Sequence, residues 1–188
     1  MSDQRVRLFV ALELPGEARD ALQAWRDDAL RSVSALRAVA PEGLHVTLCF
    51  LGSHSESEIG AIADACATVT PQPRARLRLG AVRWLPARSP RVLAVEIEDC
   101  DGALTRAQAA LSKALQAGGW YAPERRPFLA HVTVARVPKG ARPRLRELVS
   151  PPPLGVEAST ITLFRSRLGP LGARYEPLRS VELGSGAA

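Results

Sequence analysis

Two short stretches of this 188-residue chain repeat one arrangement of reactive side chains, His45-Val-Thr-Leu48 and His131-Val-Thr-Val134. The chain has three histidines, so two of them fall in this setting. Side chains on a strand alternate with a period of two. That parity predicts His45 and Thr47 on one face, with Val46, Leu48 and Phe50 pointing the other way into a core. It likewise sets His131 and Thr133 against Val132 and Val134. Cys49 and Ala135 share the parity of the His–Thr pairs and are expected on the floor of the same face. Each strand then offers one imidazole and one hydroxyl to a cleft.

Such a constellation suits in-line cleavage of a phosphodiester. A base must take a proton from the attacking oxygen, and an acid must protonate the leaving oxygen on the far side of phosphorus. Two imidazoles with ordinary pKa values near 6.5 supply one neutral and one protonated ring near neutral pH. The hydroxyls of Thr47 and Thr133 can hold the non-bridging oxygens between them. No metal or cofactor is expected, since the sequence has no HExxH and no His/Asp cluster. His54, in the Gly52-Ser-His-Ser55 turn, has no threonine partner and reads as a surface residue.

The elements that must position these residues are legible as two similar passages. Residues 5–12 read as a buried strand, Pro15 opens a helix through about Leu36, and 44–51 form the strand carrying His45. Ser55 or Ser57 can cap a helix bearing Ile59, Ile62, Ala63 and Cys66. Residues 75–85 alternate as a strand, bulged at Gly80. A second passage follows: strand 91–98, helix 101–117 with Leu104, Ala107, Leu111 and Leu115 on one stripe, and strand 128–137 carrying His131. A short helix at 145–149 and two strands at 156–168 and 174–183 complete it. The expected fold is α+β, one two-lobed domain over 1–188. It is an internal duplication, with a first repeat at about 5–85 and a second at about 91–183 related by a pseudo-twofold.

Composition narrows the class. Apolar residues make up 46% and charged residues 23%, ordinary values for a folded domain. No apolar run reaches the roughly 20 residues of a membrane helix, and no signal-peptide pattern opens the chain. Three widely spaced cysteines form no CxxC pair, so a reducing cytoplasm is the expected compartment. The net charge of +6 comes almost wholly from scattered arginines, a positive field that favours a phosphate-rich substrate without identifying it.

At these residues the chain resembles the two-histidine phosphoesterase superfamily, defined by paired HxTx motifs. More closely it resembles the RNA 2′,3′-cyclic phosphodiesterase family, also called 2′-5′ RNA ligases. The likeness runs through Arg7-Leu-Phe-Val-Ala-Leu-Glu-Leu-Pro15, Leu44-His-Val-Thr-Leu-Cys-Phe-Leu-Gly52, Arg126-Pro-Phe-Leu-Ala-His-Val-Thr-Val-Ala-Arg136, Leu163-Phe-Arg-Ser-Arg-Leu168 and Gly172-Ala-Arg-Tyr175. Ala38 stands where the family often has Trp, and Ala130 where it usually has Pro.

The resemblance implies a cleft between two antiparallel sheets with helices outside. It implies hydrolysis of a terminal RNA 2′,3′-cyclic phosphate to a 2′-phosphomonoester without metal or cofactor. His45 would be the proton donor and His131 the proton acceptor, with Thr47, Thr133 and Arg136 binding the phosphate. On an ideal strand Arg136 has the wrong parity, so the strand is expected to end, twist or bulge before it. Phe9 is a candidate for stacking on a base, and Arg126 and Arg165 are weaker candidates for RNA phosphates. The implied partner is RNA with a 2′,3′-cyclic phosphate end, tRNA fragments being one source, with no membrane and no obligate protein partner. A monomer is expected. Two alternatives use the same residues differently: 2′-5′ ligation, with a ribose 5′-hydroxyl in place of water, and RNA binding without turnover. The aromatic content of 5% argues against a stacking platform of the second kind.

Overall fold

A computed structural model describes residues 4–33, 36–141, 143, 148–169 and 172–184. Its elements in chain order are β1 (Arg5–Glu13), α1 (Gly16–Ala29), β2 (Arg37–Ala38), β3 (His45–Ser55), α2 (Ile59–Ala67), β4 (Ala75–Leu85), β5 (Val92–Asp99), α3 (Ala103–Ala117), β6 (His131–Arg136), β7 (Gly155–Ala158), β8 (Thr160–Gly169) and β9 (Gly172–Glu182). Local chemistry explains the helix starts. Ser55 and Glu58 form a reciprocal capping box ahead of α2. At α3, Asp101 accepts from the Ala103 N–H and Asp99 from those of Leu104 and Thr105, so carboxylates take up the free donors of the first turn. Helix α1 stops at Ala29, short of the expected Leu36. A single 3-10 turn follows, and Val33 is extended and buried. The short helix expected at 145–149 lies largely outside the described residues.

All the strands belong to one hydrogen-bonded antiparallel sheet in the order β7-β4-β5-β6-β3-β1-β8-β9, with β2 added on β6. The two expected sheets are therefore the halves of a single one. They meet where β3 and β6 touch at the pair Val46 and Val132. The expected bulge in β4 is present, with a register shift between Leu79 and Val82.

One face of the sheet carries the main core. Leu8, Val10, Val46 and Val132 from the strands cluster with Leu22 of α1, Ile62 of α2 and Leu111 of α3. Each fully buried leucine among them contributes ~2 kcal/mol. On β1 the alternate residues Phe9 and Ala11 fall in a separate small cluster with Phe164 and Tyr175. The helices thus cover one face, and the residues of opposite parity are left for the site.

Candidate active site

The Val46–Val132 pair sits at the centre of the site. Counting outward along antiparallel strands sets His45 opposite Thr133 and Thr47 opposite His131, all four on the face away from the two valines. Both histidines, both threonines and Arg136 line one cleft of about 510 Å³.

Each strand then breaks its alternation at the same step. On β3, Val10 faces Cys49 while Ala11 faces Thr47, so Leu48 is an extra residue; on β6, Leu93 faces Ala135 while Ala94 faces Thr133, so Val134 is extra. A bulge of this kind puts two successive side chains on one side. Leu48 with Cys49, and Val134 with Ala135, are accordingly all buried. Cys49 and Ala135 therefore belong to the core and not to the cleft floor. The parity flip returns Arg136 to the cleft, as expected of a bulged strand. It also returns Phe50, which was expected in the core and is instead 46% exposed at the cleft wall. The bulge depends on the partner strand's register, which no alternation pattern in β3 announces.

The two imidazoles lie in different surroundings. His45 is wrapped by aromatic rings: Phe9 stacks at 5.1 Å, Phe164 at 6.0 Å, and Tyr175 meets it edge-on at 5.3 Å. Its Nδ1 is buried with no hydrogen-bond partner. Burial, reinforced by the charge of Arg136 and then by His131, pulls its pKa down to about 4. His131 has a fixed ring instead. Its Nδ1 lies 2.8 Å from the Leu129 carbonyl, an acceptor, so Nδ1 carries the proton and the neutral ring keeps its lone pair on Nε2.

Phe9 lines the cleft beside His45. It is 4% exposed, stacked on Phe164 at 5.2 Å as well as on His45, and edge-on to Tyr175. Packed in this way it supports the His45 ring. Sequence reasoning gave no role to Tyr175, Arg37 or Arg7, all of which line the cleft. The Tyr175 hydroxyl accepts from Arg136 Nη2 at 3.3 Å, so one tyrosine joins the guanidinium to the ring edge of His45. Arg37 sits beside Arg136 across the β2–β6 pairing. Among the described residues, three arginines and no carboxylate line this cleft, which makes it a seat for an anion. His54 lies outside it. It is held against the Leu51 carbonyl and near Glu58 with its side chain 14% exposed, so it is tucked in and not solvated as expected. Arg165 pairs with Glu56 and sits 4.0 Å from Glu176. No group of three or more potential metal ligands occurs among the described residues, and no described helix is long and apolar enough to cross a membrane.

Comparison with known proteins gives one result throughout. The profile of the 2′-5′ RNA ligase superfamily matches residues 14–170. A protein of Archaeoglobus fulgidus is 33% identical over 94% of this chain and 100% of its own length; one of Escherichia coli K12 is 30% identical over 92% and 94%. Both carry the name RNA 2′,3′-cyclic phosphodiesterase. Among solved structures, E. coli LigT complexed with 3′-AMP superposes with a TM-score of 0.78 at 28% identity, covering 96% of this chain and 99% of that one. The likeness extends to the mostly antiparallel sheet, curled as a half-barrel with few helices.

Proposed function

The chain belongs to the 2′-5′ RNA ligase superfamily, and we propose that its cleft hydrolyses the 2′,3′-cyclic phosphate at the end of an RNA. The observation that carries this is the convergence of both His–Thr pairs and Arg136 on one cleft, in a chain whose relatives are named for that reaction.

In the mechanism that fits this geometry, His131 Nε2 takes a proton from water as its oxygen bonds to phosphorus. His45 gives its proton to the departing 3′ oxygen as the P–O3′ bond breaks, leaving a 2′-phosphomonoester. The hydroxyls of Thr47 and Thr133 donate to the non-bridging oxygens, and Arg136 answers the charge that gathers on them. These side chains supply both proton transfers, so the step needs no metal. A free-enzyme pKa of about 4 leaves His45 mostly neutral at pH 7. An anionic phosphate set between His45 and Arg136 offsets the guanidinium charge and draws the proton back onto the ring. Ligation would set a ribose 5′-hydroxyl where the water attacks, in competition with about 55 M water in an open cleft.

The same geometry supports descent from a duplicated unit. Ala11 and Glu13 on β1 face Thr47 and His45, just as Ala94 and Glu96 on β5 face Thr133 and His131. The repeats span about 5–85 and 91–183 within one domain. Cys49, Cys66 and Cys100 are free, which suits a reducing cytoplasm. RNA ends such as those of tRNA fragments are candidate substrates.

The test is phosphorus NMR of a short RNA ending in 2′,3′-cyclic phosphate, incubated with the protein in EDTA. The expected result is conversion to the 2′-monophosphate, lost in His45→Ala. A 3′-monophosphate product would reverse the acid and base assignments, and no conversion with binding retained would leave a non-catalytic RNA-binding protein.

A further inference from the structure

Beside the catalytic cleft lies a second depression of about 500 Å³, and the two share Arg7, Phe50 and Ser166 on their common wall. They are therefore neighbouring parts of one surface groove. Its far end is lined by Arg5, Arg165 and Arg167. Glu56 pairs with Arg165, and Glu176 lies 2.9 Å from Arg167, so two of the four guanidinium charges are offset. Arg165 Nε is buried without a hydrogen-bond partner. Arg5 donates to the Ser53 carbonyl and Arg7 lies 4.8 Å over the Phe50 ring, contacts that leave both charges intact. Glu58, whose carboxylate accepts from the Ser55 N–H and the Trp120 indole, lies within electrostatic reach of Arg5 and offsets part of its field.

The arginines follow the strand period. Arg5, Arg7 and Phe9 alternate on one face of β1, with Arg7 opposite Ser166 and Phe9 opposite Phe164 on β8. A row of cations at about 3.3 Å per residue along the strand therefore runs away from the His45 ring. Phe50 of β3, 46% exposed with the Arg7 guanidinium over its ring, stands beside this row.

We infer that this groove binds the RNA chain on the 5′ side of the reacting nucleotide, with Arg5 and Arg7 on backbone phosphates and Phe50 against a base. Resting on the reading of the cleft as the seat of a terminal cyclic phosphate, the direction is fixed, because such a phosphate closes the 3′ end and only 5′ nucleotides remain to be held. A cationic groove with an exposed aromatic is the general solution for a single strand of tolerant sequence. The enzyme then selects oligonucleotide ends over mononucleoside cyclic phosphates.

The test is calorimetric binding of adenylates of one, two and four nucleotides, each ending in a 2′-phosphate, to the full chain between 0.05 and 0.3 M salt. The four-nucleotide ligand binds at least about ten-fold more tightly than the mononucleotide. Its log Kd against log salt slope is steeper by about 0.7 per phosphate held. In Arg5→Ala the length gain shrinks by about three-fold and the slope flattens. Arg5→Gln serves where the alanine variant fails to fold, as judged by its melting curve. Equal affinity at all three lengths, or a gain the variant keeps in full, overturns the inference while leaving hydrolysis at the cleft standing. A gain lost in the variant supports the inference even where no cyclic phosphate is turned over, so the two readings fail separately.

Discussion

Strands β3 and β6 run the same course: histidine, apolar residue, threonine, two buried residues across a bulge, then a side chain returned to the cleft. Their chemistry differs because their neighbours differ. Beside β3 stands β1 with Phe9, and beyond it β8 with Phe164, so His45 is enclosed by aromatic rings and its Nδ1 has no partner. On the β6 side the residue matching Phe9 is Val92, which pairs with Arg136, and His131 is held by a backbone carbonyl. The fifth residue after each histidine differs too: Phe50 on β3 and Arg136 on β6. A near-symmetric backbone thus sets its two imidazoles in unlike surroundings, and unlike surroundings are one way to divide the roles of proton donor and acceptor between two like groups.

The largest effect expected of breaking the comparison is on turnover. His45→Ala and His131→Ala each lower kcat by about 10²–10⁴-fold, and the double variant loses no more than the worse single one because the pair acts as a unit. Single-turnover assays on a cyclic-phosphate RNA check this. A variant of either histidine with full activity removes that ring from the mechanism.

Next comes stability against pH, which separates the rings by burial. His45 has a pKa of about 4 in the folded chain, against the ordinary 6.5. Between those values the unfolded chain binds more protons. Stability is therefore complete above pH 6.5 and falls toward pH 4, by about 3 kcal/mol from this ring alone. Urea unfolding at pH 7 and pH 4.5 should show that slope in the parent chain and in His131→Ala, and a flatter one in His45→Gln. Equal slopes in all three proteins would mean that the aromatic enclosure does not resist protonation.

Arg136→Met sharpens the electrostatic side. It lowers kcat/KM by about 10–100-fold through lost stabilisation of phosphate charge. It also moves the acid limb of kcat/KM upward from near pH 4, because one of the charges opposing protonation of His45 is gone. A limb that stays in place would belong to another group.

The smallest effect tests the symmetry itself. Thr47→Val and Thr133→Val each remove one hydroxyl at matched positions and should lower kcat/KM about ten-fold, by similar factors. Steady-state kinetics that find one change harmless would show the phosphate seated on one strand alone.

Much of this architecture is legible in the residues alone. Apolar periodicity locates α1, α2 and α3, and the Leu104, Ala107, Leu111, Leu115 stripe of α3 is buried as expected. The HVT repeats locate both central strands. The extent of α1 is not legible, since Val33 is drawn into the core by tertiary packing. Nor is the facing of Cys49, Phe50 and Ala135, because alternation assumes a regular ladder and each bulge is defined against a partner strand. With Leu48-Cys49 and Val134-Ala135, two adjacent small or apolar residues after each threonine, the sequence carries a signal that strict period-two reading discards.

The sequence by itself determined which groups can react: two imidazoles, two hydroxyls and a field of arginines, at spacings that any extended backbone presents on one face. Only the tertiary structure decided what those groups become. Phe9, Phe164 and Tyr175 come from opposite ends of the chain to enclose His45, and a pKa depends on how much solvent the assembled neighbours remove. In the same way Arg5, Arg7, Arg165 and Arg167 form one groove only because β1 and β8 pair. Side-chain chemistry is a property of each residue, whereas burial, register and the field at a point are sums over residues that meet only when the chain folds.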